Sequence, residues 1–220
     1  ATRAETRTRP AAEGSVVDKA MELISGAERP LIFAGGGAFF SGAAPELERF
    51  VDTTNIPFYT APMSRGLIPE DHPVSFPAAR STAMREADVV LVVGTRLNWM
   101  MNYGKRFNPS ARIIQIDIDE SELGHNQNIE LGIFGDAKAV MAQLNEAADG
   151  SRPDFAGALE SPWVVNLRQA DQERLARSAP ILNSDQTPIH PLRLCKEITE
   201  FLDRDAIVSV DGNEILHFGR

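Results

Sequence analysis

The chain has 220 residues, of which 43% are hydrophobic and 24% charged, enough for one or two globular domains with a substantial core. Its net charge of -9 and its lack of a long basic run argue against nucleic acid or an anionic membrane surface as a partner. The apolar run "VVLVV" (89–93) is far too short to span a bilayer, and "ATRAETRTRP" lacks the apolar stretch of a secretory signal.

Residues 1–14 have the small, Thr-, Arg- and Pro-rich composition of a linker. Ser15 is the expected N-cap of a helix "VVDKAMELISGA" that buries Val16, Ala20, Leu23 and Ile24 and ends at Gly26. A strand "PLIFA" (30–34) empties into Gly35, Gly36 and Gly37. Ser41 is expected to open the next helix, with Leu47, Phe50 and Val51 facing inward. "IPFYT" (56–60) reads as a strand, 64–76 as a Pro/Gly-rich loop and 79–87 as a helix. "DVVLVVGT" (88–95) has the uninterrupted apolar character of a buried parallel strand, and "ARIIQIDID" (111–119) follows as another. After a helical turn at "ESELG", a short strand (131–135) leads into a helix (136–148) capped by Asp136. Strands alternating with helices predict an α/β fold: a doubly wound, mostly parallel open sheet covered on both faces, over residues 15–149.

Beyond that, 150–188 reads as a linker carrying a charged amphipathic helix, "WVVNLRQADQERLARS", then an extended connection, "APILNSDQTPIHP". A helix "LRLCKEITEFL" and a strand "AIVSV" within 189–220 look like the start of another domain, so the chain reads as a piece of a longer protein. The lone Cys195 fits a reducing, cytoplasmic setting and is expected inside a helix core.

The glycine turn admits three readings. A GxGxxG fingerprint from Gly35 would need glycine at position 40, which is Phe40, and the second strand ends "FYTAP" without the acid that grips a ribose, so a dehydrogenase-type NAD site is disfavoured. The turn is either a tight strand-to-helix connection or a place where backbone N–H groups meet a nucleotide. Two other strand ends bear on the choice. Arg96 follows one and can grip phosphate; Asp117 and Asp119 follow another and can accept ribose hydroxyls. Taken singly, these side chains also fit a surface ion pair and a helix cap. Trp99, Met100 and Met101 read as packing at a domain or subunit contact, and His72 and His125 as loop histidines. No metal-ligand spacing is present, and no residue stands out as catalytic.

The order "ERPLIFAGGGA … GTRLNW … IDIDESELGHN … LGIFGDAKAVMAQL" resembles the central domain of thiamine-diphosphate-dependent enzymes over residues 12–148. "GTRLNW" with "IDIDESELGHN" is most similar to the 2-hydroxyacyl-CoA lyase and oxalyl-CoA decarboxylase branch; acetolactate synthases carry a "GARFDDR"-like segment there. The resemblance implies a parent enzyme that makes or cleaves carbon–carbon bonds with thiamine diphosphate and Mg²⁺, working as a homodimer or homotetramer. By itself this piece would be inactive, because the cofactor-activating glutamate and the "GDG … NN" metal motif belong to catalytic domains elsewhere in the polypeptide. The central domain would bind ADP or the nucleotide of CoA, or FAD if the protein is an acetolactate synthase. The alternative of another kind is an inert structural or nucleotide-binding module. Carried over position by position, Gly35, Gly36, Gly37 and Ala38 would approach the phosphates or ribose. Arg96 and Leu97 would lie beside the nucleotide, Asp117 and Ile118 near the adenosine, and Asp136 and Ala137 at the last strand end. Some relatives place a lysine where this chain has Gly36. Residues 189–220 would be the truncated start of the diphosphate-binding domain, with His190 and the turn Asn213, Glu214, Ile215 and Leu216 falling where relatives contact thiamine diphosphate.

Overall fold

The structure, a computed structural model, describes residues 8–151, 158–203 and 205–209. The chain divides into two compact units, Ala1–Ala170 and Asp171–Arg220. The first is built on a five-stranded sheet of β1 (Pro30–Ala34), β2 (Phe58–Thr60), β3 (Val89–Val93), β4 (Arg112–Asp117) and β5 (Leu131–Phe134). All four pairings are parallel, in the order β2-β1-β3-β4-β5. β3 is five valines and leucines with every residue buried, as a central parallel strand requires. The expected α/β architecture is present, and the sheet is wholly rather than mostly parallel. Its order is the flavodoxin-like one, which reverses direction between β1 and β3.

Helix α1 (Gly14–Ser25) precedes the sheet, α2 (Gly36–Ser41) and α3 (Ala44–Thr54) connect β1 to β2, α4 (Arg80–Glu86) lies between β2 and β3, and α5 (Ala137–Ser151) follows β5. α1, α2 and α3 each pack against α5. The β1-to-β2 and β2-to-β3 connections run in opposite directions across the sheet, so right-handed crossovers put α3 and α4 on opposite faces. On the α4 side, Phe107 meets Phe33 of β1 edge to face at 6.0 Å, and the Asn108 N–H donates to Met84 O. Leu47, Phe50 and Val51 of α3 are fully buried, as their helical spacing predicts. The start of α6 (Pro162–Leu182) belongs to the same unit: Trp163, Val164 and Leu167 join the core, and Trp163 Nε1 donates to Pro30 O at 3.0 Å.

Several local expectations are corrected. α1 starts one residue before Ser15, with Glu13 as N-cap, because the Glu13 carbonyl accepts the first helical N–H groups. Ser41 closes α2 rather than opening a helix: Gly42, at φ +69, stops α2, and α3 starts two residues later at Ala44 with Pro45 in its first turn. The connection expected to be extended from 179 is instead helical to Leu182, with Pro180 inside the last turn and the Asn183 N–H donating to Ala179 O at 3.1 Å. In the second unit, α7 (Pro191–Phe201) forms as expected, but residues 206–209 are not a strand. Ile207 is fully exposed, and no described strand pairs with this segment. Cys195 is half-buried on α7, which has no buried residue, so it is not a core residue. No helix of the described residues is long and apolar enough to cross a membrane.

Candidate functional site

Parallel strands deliver all their carboxyl ends to one edge, and the residues singled out at four strand ends therefore meet there. The β1 and β3 exits lie back to back at the point where the strand order reverses. Gly35 N–H donates to Val93 O and Gly37 N–H to Gly94 O, each at 2.9 Å. A Cβ on Gly35 would fall 2.0 Å from Thr95 Oγ1, and one on Gly37 would fall 2.9 Å from Gly94 Cα. Gly94 has φ +57, and its own Cβ would lie 2.5 Å from Ala38 N. Packing therefore dictates Gly35, Gly37 and Gly94. Gly36 differs: the nearest atom to its absent Cβ is Met63 Cβ, at 3.4 Å. A side chain there would make only ordinary contact with Met63 and Phe40; Gly36 is half-buried and Gly37 exposed. Ala38 is fully buried.

From β3 the chain runs through buried Thr95 to Arg96, whose side chain is 63% exposed, and then to buried Leu97. Arg96 Nε lies 3.2 Å from Glu122 Oε1, and Nη2 lies 3.9 Å from Asp119 Oδ2. Glu122 is held in place by Gln115, a buried residue of β4 whose amide donates to Glu122 O and accepts from Gly124 N–H. Asn98 Oδ1 accepts the Met100 N–H and starts a turn in which Asn102 and Tyr103 both have positive φ. Trp99 and Met100 are exposed on this turn, whereas Met101 is buried.

At the end of β4, Asp117 is buried and its Oδ1 accepts the Asp119 N–H at 3.0 Å, while Ile118 is exposed. Burial pushes the Asp117 carboxyl above its ordinary value, with a smaller push from Glu122; the Asp119 N–H and Arg96 oppose it. Asp119 is held below its ordinary value, chiefly by the Ser121 hydroxyl. At the end of β5, partial burial raises Asp136, but donors from Arg9, the Ala139 N–H and Ser41 outweigh it and leave the group lowered. Asp136 caps α5 as expected, through Ala139 N–H to Oδ1 at 3.2 Å, and Ala137 is buried beside it.

These shifts give a prediction. An aspartate raised by burial loses stability as pH rises from its ordinary value through its folded one. Asp117→Asn keeps the acceptor for Asp119 N–H and removes the buried charge. At pH 7 it is expected to melt at or above the wild-type temperature, and the gain should vanish below pH 4. A variant that is less stable at pH 7 would show that the charge is compensated.

The edge thus combines Arg96, two carboxylates and the backbone of Gly36. Phe39, Phe40, Met63, Trp99, Met100, Tyr103, Ile118 and Phe134 stand exposed around it. An apolar rim around a few convergent polar groups is the usual makeup of a small-molecule site. The sequence missed Gly94, Ser41 and Arg9. Gly94 was recoverable as a second glycine directly after an apolar strand; Arg9 sits in linker-like composition and gave no signal. His190 lies in the second unit as N-cap of α7, its Nδ1 accepting Leu192 N–H at 3.1 Å. Asn213, Glu214, Ile215 and Leu216 lie outside the described residues. Among the described residues no cluster of His, Cys, Asp or Glu is placed to hold a metal ion.

Sheet order and covering helices define a doubly wound α/β domain of flavodoxin-like topology. The chain belongs to the thiamine pyrophosphate enzyme family, whose central-domain model matches residues 17–144. It is 33% identical to human 2-hydroxyacyl-CoA lyase 1 over 211 residues, covering 95% of this chain and 36% of that protein. It is 36% identical to 2-hydroxyacyl-CoA lyase of Oryza sativa subsp. japonica over 202 residues, covering 90% of this chain and 33% of the relative. An acetolactate synthase large subunit from Mycobacterium tuberculosis is 32% identical over 205 residues, with 93% and 36% covered. The chain spans about a third of the length of these relatives.

Proposed function

We propose that this chain is the central domain of a thiamine-diphosphate-dependent 2-hydroxyacyl-CoA lyase, and that its C-terminal sheet edge holds ADP or the nucleotide part of CoA. The observation that carries the nucleotide reading is the placement of Arg96, Asp117 and the glycine turn at the carboxyl ends of β3, β4 and β1, around the β1/β3 switch point. The lyase assignment is supported by the names of the human and rice relatives.

In this reading Arg96 exchanges its carboxylate partners Glu122 and Asp119 for phosphate, Asp117 accepts a ribose hydroxyl, and Asp136 borders the nucleotide at the end of β5. Exposed Phe40 and Ile118 offer apolar surface to the adenine. When bound in the whole enzyme, thiamine diphosphate supplies the carbanion that makes or breaks the carbon–carbon bond. This domain's contribution is to grip the remote nucleotide, so that binding energy gained there can be used at the reacting carbon. Mg²⁺ and thiamine diphosphate would be held by other domains. Mixed with thiamine diphosphate, Mg²⁺ and a 2-hydroxyacyl-CoA, the 220-residue chain is expected to release no aldehyde or ketone.

The test is the melting temperature with ADP, CoA, FAD or NADH added singly. ADP or CoA is expected to raise it by an amount set by concentration over Kd, and NADH to raise it less. Stabilisation by FAD alone would favour the acetolactate synthase reading, which the mycobacterial relative supports. No response to any of the four would overturn the site.

A further inference from the structure

The segment before α1 is not loose where it crosses the sheet edge. Pro10 O accepts Asp136 N–H at 2.8 Å, and Ala12 exchanges two hydrogen bonds of 2.9 Å with the Gln143 side chain on α5. Arg9 reaches further. Its Nη1 lies 2.7 Å from Asp136 Oδ1, 2.9 Å from Ser41 O and 3.1 Å from Ser41 Oγ. The Ser41 hydroxyl in turn donates to Asp136 Oδ1 at 3.0 Å and accepts Lys138 N–H at 2.9 Å. One guanidinium nitrogen therefore ties the helix that leaves β1 to the turn that leaves β5. It also gathers with Ser41 and Ala139 N–H on a single oxygen of Asp136.

We propose that Arg9 is a positioning residue of the nucleotide edge: by fixing one carboxylate oxygen of Asp136 and clamping the α2 end beside it, Arg9 sets the orientation in which Asp136 meets the ligand. The proposal rests on the nucleotide reading above. Arg9 itself touches no ligand in it, and its effect on binding passes through Asp136. The strap also makes the approach to the domain part of the site, so that a pull on residues 8–13 is transmitted to Asp136.

The experiment is a double-mutant cycle on the full chain, read by calorimetric titration with ADP. Arg9→Ala is expected to weaken ADP binding about five-fold, less than the loss of a charge-assisted bond to the ligand itself, because Arg9 acts only through Asp136. Arg9→Lys, whose ammonium can serve the same three acceptors, is expected to recover most of that loss. Asp136→Asn preserves the α5 cap. In that background Arg9→Ala should change the ADP Kd by less than about two-fold. A purely structural strap predicts a lower melting temperature with an unchanged Kd, and that result overturns the proposal. An equal loss in both backgrounds also overturns it, since Arg9 would then act without Asp136. If the wild-type chain binds no ADP, CoA or FAD, the nucleotide reading fails and this inference with it; wild-type binding that Arg9→Ala leaves intact defeats the inference alone.

Discussion

Gly94→Ala is expected to lower the melting temperature by roughly 10 °C and to remove ADP binding. Gly94 has φ +57, a conformation that costs alanine about 1 kcal/mol. The new Cβ would lie 2.5 Å from Ala38 N and 2.8 Å from Gly37 Cα. These are backbone atoms and cannot rotate away, so relief requires the two strand exits to part, at about 2 kcal/mol more. Parting them strains Gly37 N–H to Gly94 O and Gly94 N–H to Ile116 O, both 2.9 Å, and so spreads the edge across β1, β3 and β4. A total near 3 kcal/mol corresponds to about 10 °C in a domain of this size. Gly36→Ala is the control. Its nearest neighbour would be 3.4 Å away, and alanine favours a helix start, so its melting temperature should stay within about 2 °C of wild type. Circular dichroism melts of the two variants decide the matter. If both fall equally, the back-to-back contact is not what demands glycine at 94.

Arg96→Ala is expected to weaken ADP binding about 30-fold while leaving the empty protein nearly as stable as before. The arginine is 63% exposed and its partners Glu122 and Asp119 are solvent-accessible, so those ion pairs contribute less than about 1 kcal/mol. A phosphate placed between Arg96 and the Gly36 backbone would instead receive charge-assisted hydrogen bonds worth about 2 kcal/mol. The difference is read as loss of most of the ADP-induced rise in melting temperature, with the unliganded melt unchanged. Arg96→Lys is expected to restore only part, because an ammonium lacks the planar fork. An undiminished ADP response would remove Arg96 from the site and leave it as a surface ion pair.

The sheet was legible because buried parallel strands are uninterrupted apolar runs: β1 and β3 fall within a residue or two of where "PLIFA" and "DVVLVVGT" place them. Their order was not legible, since periodicity says which residues are buried and nothing about which strand pairs with which. The site residues followed from standing after such runs, and parallel pairing brought them to one edge. Short polar contacts between distant segments leave no pattern. Ser41 meets Asp136 across 95 positions and Arg9 meets it across 127. Trp163 was hidden in a helix that looks solvated because most of α6 is; only its first turns are buried. The glycine run could be read as one feature from the sequence, yet it divides: Gly35 and Gly37 pack against the β3 exit, where a side chain would clash, whereas a Cβ on Gly36 would make only ordinary contact.

The strand order has a consequence for how the domain is made. Ile32 pairs with Phe58 on one side and with Leu91 on the other, so β1 can join β2 long before its second neighbour has been synthesised. During elongation one flank of an apolar strand must wait on the ribosome with its hydrogen-bonding groups unpaired, the condition under which strands recruit wrong partners. β3 closes that flank and itself receives β4 soon afterwards, when Leu91 meets Ile114. Arrival of β3 therefore closes the open flank of β1. The glycine contact between the β1 and β3 exits can form only then, so the candidate binding edge cannot exist before β3 docks and is lost whenever β3 detaches.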